Sequence, residues 1–426
     1  MNINDYEIFY PGVYTPEEEA ALEAVKAGKM GGPPAEFANR KKPVLERYAL
    51  WEPCVLLYAA CVNRFDPLYN DVEYAKSTWY GGLPVYPGYV NAENMVMLPP
   101  VFGNHAPRDG QIPGDAYDHE IQYYKPILAG DDITRGEPKV DIVDVTDKNG
   151  SPIRVFITII ETELVNQHGE VVGKSINRFP QMYARRKDGK PDEMRFDPHK
   201  SRVPYHYEQK DLELLKSYWE KEKIRGSETL YWEDVNVGEY LPATAEVPMT
   251  QMAMLRMHGM DFMNMSMQDL RDRLLTGNME HMEYDEYGVP DTTMLHFRAD
   301  QPGFYNFTGR NFCLRMVTNW MGDDGFVTKV NWRMVNDFPE DKQTNPFPED
   351  FYRPSYFFKV PELKEKGARI STHGAAPDAT ITGGYIYDKR IENGEHLVDI
   401  ACWGQDLEGH YHTECGITVR LPSKEK

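Results

Sequence analysis

Two stretches, one in each half of the chain, are rich in β-branched and aromatic residues and are bounded by turn signals. In the first half, residues 155–162 lie between Asn149-Gly150 and His168-Gly169. In the second half, residues 396–403 lie between Asn393-Gly394 and Glu408-Gly409. Such runs favour long antiparallel strands, and Asn-Gly favours the tight turn of a hairpin. The spacing is similar in the two copies, 21 positions from Lys148 to Gly169 and 20 from Lys389 to Gly409, which indicates an internal duplication.

Helical patterns precede these strands in both halves. They cover residues 51–62 and 89–98 in the first half and residues 312–320 in the second. Helices beside long antiparallel strands predict an α+β fold, with a curved sheet wrapped around a central helix in each half. Between the halves, Leu212, Leu215 and Trp219 recur at helical spacing, so residues 211–225 are predicted to form a connecting helix.

Charge and composition narrow the class of protein. Lys+Arg 47 against Asp+Glu 67 gives a net charge of −20, which disfavours nucleic acids and anionic membranes as partners. The five cysteines are scattered without CxxC spacing, which is typical of reduced thiols in a cytoplasmic protein. The N-terminus has no signal-peptide pattern and no run is long enough for a membrane helix, so we expect a cytoplasmic location.

Short motifs occur in a recognisable order along most of the chain. They are residues 66–71, 73–75, 81–83 and 125–131 in the first half, and residues 231–239, 318–325 and 419–423 in the second. In this order the chain resembles the two-domain MaoC-like acyl-CoA dehydratases, over roughly residues 45–185 and 228–423. The resemblance implies a double hotdog fold and a thioester substrate. It divides the chain into an N-terminal hotdog (1–187), a linker (188–227) and a C-terminal hotdog (228–426).

The family resemblance also implies a catalytic pattern, Asp-x-Asn-Pro-x-His, and a glycine whose backbone N–H stabilises the thioester oxyanion at the start of the central helix. In the first half Arg64 and Tyr69 occupy the Asp and His positions. A guanidinium cannot act as a base, and a phenol with a pKa near 10 is a poor one. We therefore expect the first half to be non-catalytic and to shape the substrate tunnel with Asp66, Tyr69 and Gly88, where Pro87-Gly88 would open its central helix.

In the second half the resemblance places the family's histidine at His281 and its oxyanion glycine at Gly309. Thr276 stands where the aspartate is expected, so Glu280, Glu283 or Asp285 would have to assist His281. His258 and Asp261, three apart on a predicted helix, form a rival catalytic pair. A histidine that only makes structural hydrogen bonds in a Met-rich insertion remains the third alternative.

Other features have less weight. Arg298, Arg310 and Arg353 are candidates for binding CoA phosphates or a substrate carboxylate. Residues 337–361 could be a lid, an oligomer contact or a surface loop. His410 and His412 alternate on a strand and lack further ligands, so no metal site is predicted.

The leading hypothesis is a lyase that hydrates an enoyl-CoA or dehydrates a 3-hydroxyacyl-CoA, with the CoA thioester as substrate and no cofactor. A non-catalytic acyl-thioester-binding or scaffold subunit is the alternative, because both Asp/His pairs are incomplete. A hotdog thioesterase that uses Glu280, Glu283 or Asp285 as base is the third possibility. We expect a homo-oligomer, most simply a homodimer.

Overall fold

The fold is described from a computed structural model of the 426-residue chain. The structure describes residues 20, 48–90, 111–112, 118–136, 139–144, 153–184, 187–188, 206–247, 305–334, 356–368 and 379–425. Six α-helices have both ends in this part of the chain: α1 (Glu52–Val62), α2 (Pro67–Asn70), α3 (Val72–Ser77), α4 (Gln209–Trp219), α5 (Tyr305–Met321) and α6 (Pro361–Lys366). Two 3-10 helices, Trp232–Asp234 and Tyr356–Lys359, accompany them. None of them combines the length and the apolar character that a membrane crossing requires.

The strands belong to both halves of the chain. The first half contributes β1 (Tyr48–Ala49), β2 (Gln111–Ile112), β3 (Asp118–Tyr123), β4 (Asp132–Arg135), β5 (Lys139–Asp144), β6 (Ile153–Val165) and β7 (Val171–Ala184). The second contributes β8 (Thr244–Glu246), β9 (Phe326–Met334), β10 (Thr380–Glu392), β11 (Glu395–Gln405) and β12 (Tyr411–Arg420).

In the described residues these strands form a single 12-stranded sheet, in which the halves mirror each other. The main order is β1-β4-β6-β7-β3-β9-β12-β11-β10-β8, with β5 pairing β6 and β2 pairing β7. The halves meet where β3 pairs antiparallel with β9, with Glu120 opposite Asn331. On either side of this seam the order is equivalent, β7 then β6 on one side and β12 then β11 on the other. The predicted duplication is thus confirmed in the sheet.

The predicted hairpin turns that fall on described residues lie where the sequence placed them. Asn393 and Gly394 join β10 to β11 with φ angles of 53° and 82°, the two positive values of a type I′ turn. Gly169 and Gly409 also have positive φ, in the turns after β6 and β11. The predicted turn at Asn149-Gly150 lies outside the described residues.

Helix α5 is the central helix of the second half, and it packs against β9, β10, β11 and β12. Its buried face, which includes Cys313, Leu314 and Val317, belongs to the same core as Trp332 and Ile417 of the sheet. The second half is therefore a hotdog fold, and the predicted α+β double hotdog class is confirmed by the long antiparallel strands of both halves. Residues 91–98 of the first half's predicted central helix lie outside the described part.

Two other predicted helices are present. Helix α1 covers the predicted residues 51–62 except Trp51, which is its N-cap, and α4 covers residues 211–219 of the predicted connecting helix 211–225. A capping box between Glu208 and Asp211 starts α4, and Leu215 anchors it in the interior. The indole N–H of Trp219 donates to the carbonyl of Ala245 at 2.8 Å, which ties the connecting helix to β8 of the second half.

The end of the 337–361 segment covers the outer face of the second-half sheet. Tyr356–Lys359 forms a 3-10 helix that continues into α6. Phe357, Val360 and Leu363 pack there on Ala401 of β11. In these residues the segment is neither a lid nor a free surface loop, and residues 337–355 lie outside the described part of the chain.

Candidate active site

The predicted site residues divide into two sets. Asp66, Tyr69, Gly88, Gly309 and Arg310 lie in the described part of the chain. The others lie outside it, and their roles stay predictions: His258, Asp261, Thr276, Glu280, His281, Glu283, Asp285, Arg298 and Arg353. The site residues that the structure describes lie around α5, and most of the predicted catalytic residues come before this helix in the sequence.

Gly309 does not open the central helix, and that prediction was wrong. Helix α5 begins at Tyr305, so Gly309 is its fifth residue. In an α-helix the N–H of a residue bonds to the carbonyl four positions earlier, which commits the Gly309 amide to Tyr305. The structure gives this glycine a packing reason instead, because a Cβ at position 309 would overlap the side chain of Thr413 on β12.

Arg310 joins the amino end of α5 to the first half. Its side chain is only 1% exposed, and its guanidinium donates to the carbonyl of Gly88 at 2.9 Å and to Oδ1 of Asn311 at 3.3 Å. The hydroxyl of Tyr58 on α1 donates to the same Asn311 oxygen at 3.2 Å. Two predicted substrate-binding positions, Gly88 and Arg310, are thus brought together from opposite halves.

Gly88 lies in a turn with φ +92°, a conformation that favours glycine. Its N–H donates to the hydroxyl of Tyr123 at 2.9 Å, and an added Cβ would lie 3.1 Å from the guanidinium of Arg310. The Gly88 amide therefore has an intramolecular acceptor.

A buried histidine near this junction was missed by the sequence reasoning. His119 of β3 lies in the interior, with Nε2 3.2 Å from Oγ of Ser175 on β7. Burial, together with the positive charges of Arg310 and Arg178, lowers the pKa of His119 well below its usual value, so its ring is neutral. The partners of His119 are distant in sequence, so no local pattern signals these contacts.

At the carboxyl end of α5, Asp66 is buried at the start of α2. One carboxylate oxygen accepts the N–H of Leu68 at 3.0 Å, an N-cap bond, and the other lies 3.4 Å from Nδ2 of Asn63. Burial is the main cause that raises the pKa of Asp66 to about 7, and the nearby Asp323 adds to it. Asn63 donates to Asn319 of α5 at 2.7 Å, so the motif loop of the first half is attached to this helix.

The two substituted motif positions of the first half have different surroundings. Arg64 is exposed and lies over the ring of Phe65. Tyr69 is buried edge-on against Tyr86, whose hydroxyl lies 3.1 Å from Oγ1 of Thr318. Burial raises the pKa of Tyr69 well above 10, which is consistent with a phenol that does not serve as a base.

Tyr69 also lines a small cavity between the halves. The cavity has a volume of about 30 Å³, enough for one or two water molecules. Its lining combines aromatic and aliphatic side chains of the first half with two residues of β9, and includes Tyr80, Tyr86, Tyr123, Phe326 and Val327.

The two histidines near β12 have different positions. His412 is buried, and burial lowers its pKa to about 4. His410 lies in the turn before β12, with Nδ1 3.1 Å from Oδ2 of Asp406. Asp406, Glu408 and His410 form one group in the described residues whose ligand atoms are close enough to hold a cation. The sequence reasoning had considered His410 with His412, which do not form this group.

The two equivalent halves of the sheet and the residues that connect them along α5 define a double hotdog protein. Residues 46–175 match the family model described as FAS1-like, dehydratase domain region. The first half of the chain is therefore related to dehydratase regions, which supports the MaoC-like resemblance inferred from the motifs.

Solved structures show similarity over most of the chain at low identity. A MaoC-like dehydratase is 15% identical with a TM-score of 0.47, and the similarity covers 88% of this chain and 96% of that one. A putative MaoC domain protein dehydratase from Chloroflexus aurantiacus is 14% identical with a TM-score of 0.45 and coverages of 89% and 93%. A double-hotdog protein from Mycobacterium tuberculosis is 11% identical with a TM-score of 0.42 and coverages of 88% and 93%. No curated protein matches the chain.

Proposed function

We propose that the protein catalyses the reversible hydration of an enoyl thioester, or the dehydration of the corresponding 3-hydroxyacyl thioester, with CoA as the carrier. The observation that carries this proposal is the match of residues 46–175 to a dehydratase region. The reaction needs water as its co-reactant and no cofactor.

The chemistry requires a base for water, an acid for the α-carbon and donors for the thioester oxyanion. We assign the proton transfers to His281, assisted by Glu283 or Asp285, with His258 and Asp261 as the rival pair. The oxyanion donors are assigned to the first turn of α5, because the N–H groups at the start of a helix, here those of residues 305–307, have no acceptor within it. Gly309 supports this turn by allowing close packing on β12.

The burial of Arg310 decides which arginine we expect to bind the CoA phosphates. Because its guanidinium is bonded to the Gly88 carbonyl in the interior, we assign CoA phosphates to Arg298 instead. Asp66 and Tyr69 shape the first-half wall of the site.

The test is an assay of enoyl-CoA substrates, followed through the loss of the conjugated thioester absorbance on hydration. We expect His281→Ala to lower kcat/KM by about 10²–10⁴, the range for removing a general base. His168→Ala, in the exposed turn after β6, is the matched control and should retain the rate. Full activity of His281→Ala with loss of activity in His258→Ala would transfer the catalytic role to the rival pair. Release of CoA thiol without hydration would instead indicate a thioesterase.

A non-catalytic thioester-binding subunit is the second candidate, and two described features favour it. The Gly309 amide, which was expected to hold the oxyanion, lies inside a helix, and the amide of Gly88, an expected tunnel residue, donates to the Tyr123 hydroxyl. This candidate predicts that acyl-CoA raises the Tm, with a stabilisation that grows as the logarithm of one plus its concentration over Kd, and that no acyl chain is turned over.

A further inference from the structure

The small cavity between the halves contains one hydroxyl group that the described part of the chain does not use. Tyr69 lines this cavity and is only 2% exposed, yet its hydroxyl makes no hydrogen bond to the described residues. The hydroxyls of the three other tyrosines in the wall each have a partner: Tyr80 with Gly325, Tyr86 with Thr318 and Tyr123 with Gly88. A buried hydroxyl without a partner is unfavourable for the folded state, so a ligand that pairs with it is expected.

The rest of the cavity is narrow and apolar. Apart from the tyrosine rings, its wall consists mainly of proline, aliphatic and phenylalanine side chains, among them Val85, Ile127 and Phe326. A volume of about 30 Å³ has room for about two or three heavy atoms and excludes an aromatic ring. Lys125, whose side chain is 52% exposed, belongs to the same wall, so the cavity reaches the surface there. The end of a chain can therefore enter it from solvent.

The surroundings of the Tyr69 hydroxyl define the chemical group that fits. Burial is the main cause that raises the pKa of Tyr69 well above its usual value, so the hydroxyl keeps its proton and can donate it. Asp66 and Asp323 lie close enough to raise the pKa further, and their carboxylates would repel an anionic group. An ammonium group has no lone pair to accept a hydrogen bond, and a hydroxyl group would leave its own proton unpaired against the apolar wall. A neutral carbonyl oxygen meets all of these conditions.

We propose that the cavity binds the end of an acyl chain that carries a carbonyl oxygen, and that the Tyr69 hydroxyl recognises this oxygen. The inference rests on the proposed function, which supplies the acyl thioester whose chain enters the cavity. It adds the substrate class, an acyl group with an oxo group near its end, which a plain alkyl chain does not replace. Few polar groups in an apolar pocket are the usual means of fixing orientation and specificity. Tyr69 is then a specificity residue at the position where a base is missing.

The first test measures binding without turnover. Saturated acyl-CoAs of about five to ten carbons with an oxo group on the penultimate carbon are compared with plain chains of the same length by isothermal titration calorimetry. Saturated chains have no double bond to hydrate, so the result does not depend on catalysis. At the length that reaches Tyr69, the oxo chain should bind about tenfold more tightly, because the plain chain leaves the hydroxyl buried and unpaired.

Two matched variants separate recognition of the ligand from folding. Tyr69→Phe should remove the preference and bind the plain chain more tightly than the parent, because no hydroxyl is left unpaired. Its Tm without ligand should not fall, since the lost hydroxyl has no partner in the described residues. Tyr58→Phe is the control, because this buried tyrosine lies outside the cavity wall and its hydroxyl donates to Asn311. It should lower the Tm and keep the preference.

The outcomes distinguish this inference from the proposed function. Equal affinity of oxo and plain chains at every length would overturn the inference and leave the hydratase proposal standing. A Tm of Tyr69→Phe that falls as far as that of Tyr58→Phe would also overturn it, because the hydroxyl would then contribute to folding. A preference for oxo chains without hydration of any enoyl-CoA would support the inference and contradict the hydratase. No binding of any acyl-CoA would overturn both.

Discussion

The two ends of α5 bury opposite charges, and both signs are unfavourable for the helix dipole. Near the amino end, where the dipole is positive, the structure buries the cation Arg310. Beyond the carboxyl end, where it is negative, Asp66 and Asp323 are buried. The two ends stabilise these charges differently. Arg310 cannot lose its proton and donates to carbonyl oxygens, whereas burial raises the pKa of Asp66 to about 7, so that this carboxyl can take up a proton.

The two halves are therefore connected by one residue that is always charged, Arg310, and by one whose charge depends on pH, Asp66. The contact of Arg310 with Gly88 is present at every physiological pH. Asp66 contacts Asn63, which in turn donates to Asn319. The carboxyl group of Asp66 gains or loses its charge near neutral pH, so the charge at this contact depends on pH. Mutations at the amino end should therefore act at all pH values, and those at Asp66 should depend on pH.

The largest effect is expected from Arg310→Met, which keeps an unbranched apolar stem and removes the guanidinium with its charge. The change leaves the buried Gly88 carbonyl without its charged donor, so the free energy of unfolding should fall by roughly 3 kcal/mol. Urea denaturation at pH 6 and pH 8 measures it, and the loss should be equal at both. Lys210→Met, at a solvent-exposed position of α4, is the control for removing a cation. A more stable Arg310→Met protein would mean that the buried charge is a net cost and does not hold the halves together.

The sequence predicted the strands, the hairpin turns and the central helix because these depend on local pattern. Asn393-Gly394, for example, needs only its own two residues to adopt positive φ. It did not predict the pairing of Arg310 with Gly88, which lie 222 residues apart and have no shared pattern. The start of α5 was missed by four residues because glycine was taken as a helix start, whereas its role is set by Thr413 on a distant strand.

A smaller loss is expected from Gly309→Ala, also at the amino end. The added methyl group would overlap Thr413, and overpacking of this kind costs about 2 kcal/mol. Thr413→Ala removes Oγ1, the atom nearest to the added methyl group, together with Cγ2, so the double variant should be more stable than Gly309→Ala alone. A double-mutant cycle in urea at one pH measures the coupling. Additive losses would show that Gly309 is not held by this contact, and would reopen its predicted role at the oxyanion.

The effect that depends most on conditions is expected from Asp66→Asn, at the carboxyl end. The raised pKa means that the folded protein binds this proton more tightly than the unfolded chain, whose aspartate has its usual pKa of 3.8. Stability due to Asp66 is therefore present at low pH and decreases as the pH rises from about 4 to about 7. Asn keeps the side-chain oxygen that caps α2 at the Leu68 N–H and cannot ionise. The variant should match the parent near pH 4 and exceed it above pH 7 by about 2 kcal/mol, within a ceiling of about 4 kcal/mol for three pKa units. Unfolding free energies from pH 4 to pH 8 test this, and a difference that does not change with pH would show that the carboxyl of Asp66 keeps the same charge throughout this range.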